Sequence, residues 1–275
     1  MARRMEPRIL MLPIEKIRPH ESCDRGILRQ VADSIASEGV LHDPVVADSG
    51  SFMILDGTHR FWALASMGCL SIPVALYDYL SSGIRIGCWY RCISPADERF
   101  SGCAFGPERA SRSSALSMVS SRRAHLAVLC KGAAHLVRAK HFDIFEAYNI
   151  LSEVEGAQRS RGSSVVYATE RDALGAIDAG DAAMVVAPPP ILKEEAIYAA
   201  TTGRLFPIKS TRHMLPSRPI SIDVPMEWLD REPASADALL QAKLSSGRFK
   251  RVKAGSIIGG RRYEEEVYIY RPQNR

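Results

Sequence analysis

The chain has 275 residues, enough for one large or two modest domains. Hydrophobic residues make up 46% and charged residues 24%, the balance of a globular protein, and no apolar run approaches the roughly 18 residues needed to cross a membrane. The net charge of +5 gathers near the C-terminus in Arg248, Lys250, Arg251, Lys253, Arg261 and Arg262, where Glu264, Glu265 and Glu266 offset it; this weakens the case for nucleic acid as a partner. Six cysteines (Cys23, Cys69, Cys88, Cys92, Cys103, Cys130) form no C-x-x-C pair, which argues against a structural zinc site. No signal-peptide core follows the basic start, so the expected location is cytoplasmic, where disulfides are disfavoured.

In chain order, Ile9–Leu12 reads as a strand and Leu28–Glu38 as a helix, with one apolar face and a stop at Gly39. Pro44–Ala47 and Phe52–Leu55 read as strands joined by a turn at Asp48-Ser-Gly50. A helix from Thr58 to about Met67 stops at Gly68, followed by strands over Ile72–Tyr77 and Ile84–Cys92. Ser94–Arg123, rich in Ser, Arg and Gly, reads as a loop-rich insertion or linker. Beyond it, helices are predicted over His141–Val154, Asp172–Ala179 and Lys193–Thr201. Strands are predicted over Ser163–Ala168, Ala183–Ala187, Ile220–Val224 and Val267–Tyr270, and Gly255–Gly260 reads as a turn.

Three constellations carry chemistry. Asp56-Gly-Thr-His-Arg60 places an acid, a hydroxyl, an imidazole and a guanidinium at a strand-to-helix turn, where free N–H groups attract an anion. That set suits a polyphosphate, with Asp56 able to reach a divalent metal. The same residues also suit a plain junction in which Thr58 caps the helix and Arg60 is solvated. Glu21, in the turn Arg18-Pro-His-Glu21, can act as a base toward a hydroxyl or hold a metal, or simply be solvated. Lys209-Ser-Thr-Arg-His213, flanked by apolar segments, suits a carboxylate or phosphate on a small substrate, or an exposed basic loop. Trp89 can line a pocket or belong to the core. No G-x-x-x-x-G-K-[ST] loop is present, which excludes a P-loop enzyme.

Arg18-Pro-His-Glu21 and Leu55-Asp-Gly-Thr-His-Arg60, with the span Ile9–Tyr79, resemble the ParB/sulfiredoxin-like domain. Within that superfamily, Phe206-Pro-Ile-Lys-Ser-Thr-Arg-His-Met-Leu-Pro216 resembles the free L-serine kinases, both archaeal ADP-dependent and bacterial ATP-dependent siderophore-pathway forms. The resemblance implies a mixed α+β (α/β) fold. It has a ParB/sulfiredoxin-like nucleotide-binding domain over 1–93, a loop-rich segment over 94–123, and a smaller C-terminal α/β domain over 124–275 that completes the serine site. It implies Glu21 and Asp56 as catalytic residues, with Asp56 also at a magnesium site. Gly57, Thr58, His59 and Arg60 then hold the nucleotide phosphates, and Trp89, Lys209, Ser210, Thr211, Arg212 and His213 surround the serine. The archaeal pattern has His where this chain has Thr58, which leaves the choice between ATP and ADP open.

The expected activity is phosphorylation of free L-serine to O-phospho-L-serine, feeding siderophore (2,3-diaminopropionate) or cysteine-type biosynthesis. A homodimer is the expected assembly. The main alternative is a ParB-like nucleotide-dependent DNA-binding or regulatory protein, against which stands the alternation of strands and helices in the second half. Sulfiredoxin chemistry needs a cysteine in the turn, where this chain has Thr58.

Overall fold

The computed structural model describes residues 7–96 and 107–273. The chain divides into two compact units that alternate along the sequence. The first comprises Met1–Arg85, Ala196–Leu205 and His213–Arg275; the second comprises Ile86–Glu195 and Phe206–Arg212. The expected boundaries at 93 and 123 do not coincide with this division, and the reason is specific. The helix Pro233–Ser245 docks on the first strand, Arg8–Pro13. There the Asp237 carboxylate accepts the Met11 N–H at 2.8 Å, and the Gln241 amide donates to the Ile9 carbonyl at 2.9 Å. The C-terminal segment is therefore part of the N-terminal unit.

In that first unit a four-stranded sheet runs in the order Arg8–Pro13, Ser71–Tyr77, Val45–Asp48, Ile54–Asp56. The central pair is parallel and the outer pairs are antiparallel. Val45, Val46, Ile54, Ile72 and Val74 are buried, each burial worth about 1.5–3 kcal/mol relative to exposure. The helix Arg25–Glu38 begins three residues earlier than the periodicity predicts. Asp24 caps it, its carboxylate accepting the N–H groups of Gly26 and Ile27 at 2.8 and 2.9 Å. Phe52, expected in a strand, instead sits at φ 58°, so the turn after Val45–Asp48 is longer than predicted. Asp48 organises that turn by accepting the Ser51 N–H at 2.7 Å and the Tyr79 N–H at 3.1 Å. A second sheet joins Ser217–Ile220, Glu266–Pro272 and Gly247–Val252. The single strand expected over Ile220–Val224 is interrupted, because Ser221 and Asp223 both take positive φ.

The second unit holds a six-stranded sheet whose neighbours are all antiparallel. Its order is Ser164–Ala168, Tyr90–Ser94, Met184–Ala187, Leu126–Cys130, Ala133–Val137, Glu108–Ala110. The predicted strand Ile84–Cys92 is two strands, Arg85–Cys88 and Tyr90–Ser94, broken at Trp89. The segment expected to be loop contributes the strand Glu108–Ala110 and the helix Arg112–Ser120, capped by the Ser111 hydroxyl. Residues 97–106, Cys103 among them, lie outside the described residues. The hairpin Leu126–Cys130 and Ala133–Val137 was not predicted, although two apolar runs around Lys131-Gly132 are a recognisable signal. The helix Ile144–Ser160 extends beyond its predicted end and buries Tyr148, Leu151 and Glu155. Among the described residues no helix is long and apolar enough to cross a membrane.

Candidate active site

The strand–glycine–helix turn forms as its sequence dictates. The strand Ile54–Asp56 ends at Gly57, whose φ of 94° only glycine adopts without strain, and the helix Thr58–Ser66 starts at once. No side-chain cap bonds that helix start. Gly57 is required for a second reason: a Cβ there would lie 2.7 Å from Arg60 Nη2. The Arg60 side chain folds back over the glycine, and its Nη2 donates to Asp56 Oδ2 at 2.7 Å.

Asp56 has a second partner that sequence reasoning missed. Arg218 Nη1 stands 2.5 Å from the same Oδ2, while Arg218 Nε donates to Glu265 at 2.6 Å. Arg60 Nη1 also lies 3.6 Å from Asp43. Burial pushes the Asp56 carboxyl upward, but Arg218, Arg60 and Arg261 outweigh it and hold it at about 2. Arg60 Nε is buried without a hydrogen-bond acceptor, a donor left over beside the open helix start. His59 accepts the Asp24 N–H at 3.4 Å, tying this helix to the start of the preceding one.

Glu21 lies in a second cluster of the same unit. The loop before it is fixed beside the Ile54–Asp56 strand, where Arg18 N–H donates to Phe52 O and Ile54 N–H donates to Arg18 O, both at 3.0 Å. His20, only 2% exposed, places Nε2 at 3.8 Å from Glu21 Oε1 and at 3.3 Å from His213 Nε2. His213 also meets the Tyr79 ring edge-on at 5.2 Å between centroids. Burial lowers the His20 pKa in spite of the Glu21 charge, which keeps that imidazole neutral at pH 7. The predicted base and the last predicted substrate residue thus meet through a buried histidine. His20 and Tyr79 were not among the predicted site residues.

The remaining predicted substrate residues belong to the second unit. Lys209 takes a left-handed conformation, φ 57°. Its ammonium lies 5.8 Å from the centre of the Trp89 ring, and the Arg212 guanidinium lies 5.4 Å from it. Ser210 is fully buried, and its hydroxyl donates to Pro207 O at 2.7 Å within the loop. Thr211 is nearly buried at the start of the strand Thr211–Met214. The division between the units falls inside the predicted run: Lys209 to Arg212 belong to the second unit and His213 to the first.

Among the described residues no three His, Cys, Asp or Glu side chains form a metal cage. Asp56, the carboxylate expected at the magnesium site, faces the guanidiniums of Arg60 and Arg218. A lone carboxylate fits magnesium, which keeps few protein ligands and rides on phosphate oxygens.

No protein-family model matches the chain. A protein of Staphylothermus marinus described as an ATP-dependent L-serine kinase is 23% identical over 244 residues, covering 80% of this chain and 90% of the relative. The chain resembles the L-serine kinases. The ADP-dependent L-serine kinase SerK of Thermococcus kodakarensis is 26% identical over 230 residues, 80% of this chain and 92% of that one. Among solved structures, a free serine kinase in complex with AMP superposes with a TM-score of 0.72 at 21% identity, covering 83% of this chain and 98% of its own. C-terminally truncated SbnI of Staphylococcus aureus gives 0.64 at 17% identity, covering 85% and 92%. The fold is thus that of the free serine kinases, and their resemblance to this chain extends well beyond the turn at Asp56.

Proposed function

We propose that this protein is a kinase of free L-serine that transfers a phosphoryl group from ATP or ADP to the serine hydroxyl, giving O-phospho-L-serine. The observation that carries the reading is Asp56 at the foot of an uncapped helix start, clasped by Arg60 and Arg218. Similarity to relatives described as L-serine kinases over 80% of the chain supports the same reading.

Phosphoryl transfer depends on alignment and charge neutralisation more than on a strong base. The first-turn N–H groups after Gly57, with Arg60 and Arg218, neutralise phosphate oxygens, and the spare Arg60 Nε offers one more donor. The serine Oγ forms its bond to the terminal phosphorus as the bond to the bridging oxygen breaks. The nucleotide leaves one phosphate shorter, and the hydroxyl proton passes to Glu21. His20 and His213 keep the Glu21 carboxylate in a confined place instead of open water. Trp89, Lys209, Thr211 and Arg212 bind the amino acid, with the cations suited to its carboxylate. Magnesium on the nucleotide supplies further charge neutralisation, and Asp56 is the residue that would hold it. The product is an amino acid carrying a good leaving group, suited to a following replacement at its β-carbon, as siderophore or cysteine-type biosynthesis requires.

Phosphorus NMR of the protein with magnesium, L-serine and either ATP or ADP tests this directly. A phosphomonoester signal matching O-phospho-L-serine is the expected result, and the donor that supports it is the physiological one. No signal with either donor overturns the reading. Glu21→Gln should keep nucleotide affinity while turnover drops by about 10²-fold or more; equal turnover would remove Glu21 from the mechanism.

A further inference from the structure

The second unit contains a buried arginine that the chemistry above does not use. Arg91 lies in the strand Tyr90–Ser94, directly opposite Tyr167 on one side and Val186 on the other, and is 1% exposed. A charge so placed must be paired and hydrogen-bonded or it costs several kcal/mol. Arg91 meets that demand with four hydrogen bonds. Nε donates to Glu155 at 3.1 Å, Nη1 to Trp89 O at 2.7 Å and to Lys209 O at 3.0 Å, and Nη2 to Ile208 O at 3.2 Å. Its guanidinium also lies over the Tyr167 ring, 5.1 Å from the centroid. Tyr167 in turn donates to Glu155 at 2.5 Å, and Arg159 donates to the same Glu155 oxygen at 3.0 and 3.1 Å. Burial and the Glu155 charge both raise the Tyr167 pKa, so its hydroxyl stays a donor at neutral pH.

Three of the four Arg91 bonds end on backbone carbonyls, and those carbonyls belong to the Trp89 break and to the Ile208–Lys209 turn. Lys209 is held at φ 57°, a left-handed conformation that is strained for a non-glycine residue. Trp89 sits where the strand pairing is interrupted. Neither feature is favourable alone; both are fixed by one planar fork whose donors point at fixed angles.

We infer that Arg91, oriented by Glu155 and Tyr167, is a positioning residue that holds Lys209 and Trp89 in their binding geometry before substrate arrives. Its role is in amino-acid binding and not in nucleotide binding. This rests on the serine kinase reading only for the identity of the ligand; the ordering of the loop stands on the geometry itself. Lysine at 91 keeps the charge but, with a single ammonium, cannot reach Glu155 and three carbonyls together.

The test pairs kinetics with limited trypsinolysis, using Arg91→Lys, with Tyr167→Phe and Glu155→Gln as the milder variants that decide if Arg91→Lys does not fold. The expected result is a KM for L-serine raised at least about tenfold in Arg91→Lys, with KM for the nucleotide within about twofold of wild type. Tryptic cleavage after Lys209 should become faster in the same variants, while cleavage elsewhere keeps its rate. Tyr167→Phe should show a smaller shift in the same direction. Equal changes in both KM values, or unchanged cleavage after Lys209 in the folded variants, would overturn the inference. Should wild type fail to phosphorylate serine with either donor, the serine kinase reading fails alone, and cleavage at Lys209 still decides whether Arg91 orders the loop.

Discussion

The two groups of predicted site residues are held in place by opposite means. The Asp56–Arg60 turn is local: strand end, glycine and helix start are contiguous, and Arg60 reaches back four residues to Asp56. The Lys209 turn is non-local, since its unusual backbone depends on Arg91 from a distant strand, itself braced by Glu155 and Tyr167. The first site keeps its charges within reach of solvent, where ligands can exchange for ion pairs. The second spends a buried charge on shape alone. The proposed phosphate turn thus has a backbone set by adjacent residues, whereas the proposed amino-acid turn has one set by a buried side chain from elsewhere in the chain.

The largest expected effect in the local site follows from replacing its carboxylate. Asp56→Asn leaves Arg60 and Arg218 facing each other without their shared anion, and turnover should fall by about 10²-fold or more. Its pH signature is also defined. Because the folded carboxyl is held at about 2, below its unfolded value near 4, its stabilisation is complete above pH 4 and is lost as pH falls toward 2. The contribution at pH 7 is about 1–2 kcal/mol once partial solvent screening is allowed for. Urea unfolding of wild type and variant at pH 7 and at pH 2.5 should show the gap narrowing in acid. A gap that persists unchanged would mean that Asp56 stabilises by packing and not by charge.

A smaller effect is expected at Gly57. Alanine there must adopt φ 94° and displaces the Arg60 guanidinium, which is flexible enough to move but only by leaving Asp56. Gly57→Ala should cost about 1–2 kcal/mol of stability and raise the nucleotide KM several-fold, with the serine KM little changed. This is the mirror image of the Arg91 variants. Kinetic parameters that move together in both would erase the contrast between the two sites.

How much of this was legible in the sequence follows the same division. The strand–glycine–helix turn could be read directly, since every residue that forms it is adjacent. Arg218 could not, because its partners, Asp56 and Glu265, lie far from it along the chain and no periodicity links them. Arg91 left a weak signal: a lone arginine among the buried residues of Tyr90–Ser94 calls for a buried partner. The helix Pro233–Ser245 was missed for a different reason. Its buried positions, Ala236 and Leu240, are sparse, and its role is to cover the first strand by side-chain bonds to the backbone. Nor does the run Lys209 to His213 signal that the Ser210 hydroxyl bonds back to Pro207 O inside the loop, a contact set by the backbone path and not by residue type.

The smallest expected effect lies at the edge of the local site, in His42. Its Nδ1 meets Asp223 at 2.6 Å and its Nε2 meets Glu38 at 2.7 Å, joining the end of the helix Arg25–Glu38 to the loop before the Val224–Pro225 strand. Its carbonyl accepts the N–H groups of Ile222 and Asp223, and the adjacent Asp43 accepts the Ser221 N–H while facing Arg60. Both carboxylates raise the His42 pKa. A raised histidine stabilises most below its unfolded pKa near 6.5, and that contribution disappears as pH rises through the folded value. The side chain is 58% exposed, so the effect stays below about 1 kcal/mol. His42→Gln should therefore be less stable than wild type at pH 5.5 and approach it at pH 9, as read from urea midpoints. If the difference instead grew with pH, the two carboxylates would not be holding a charged imidazole, and the clip beside Asp43 would owe its strength to the backbone bonds alone.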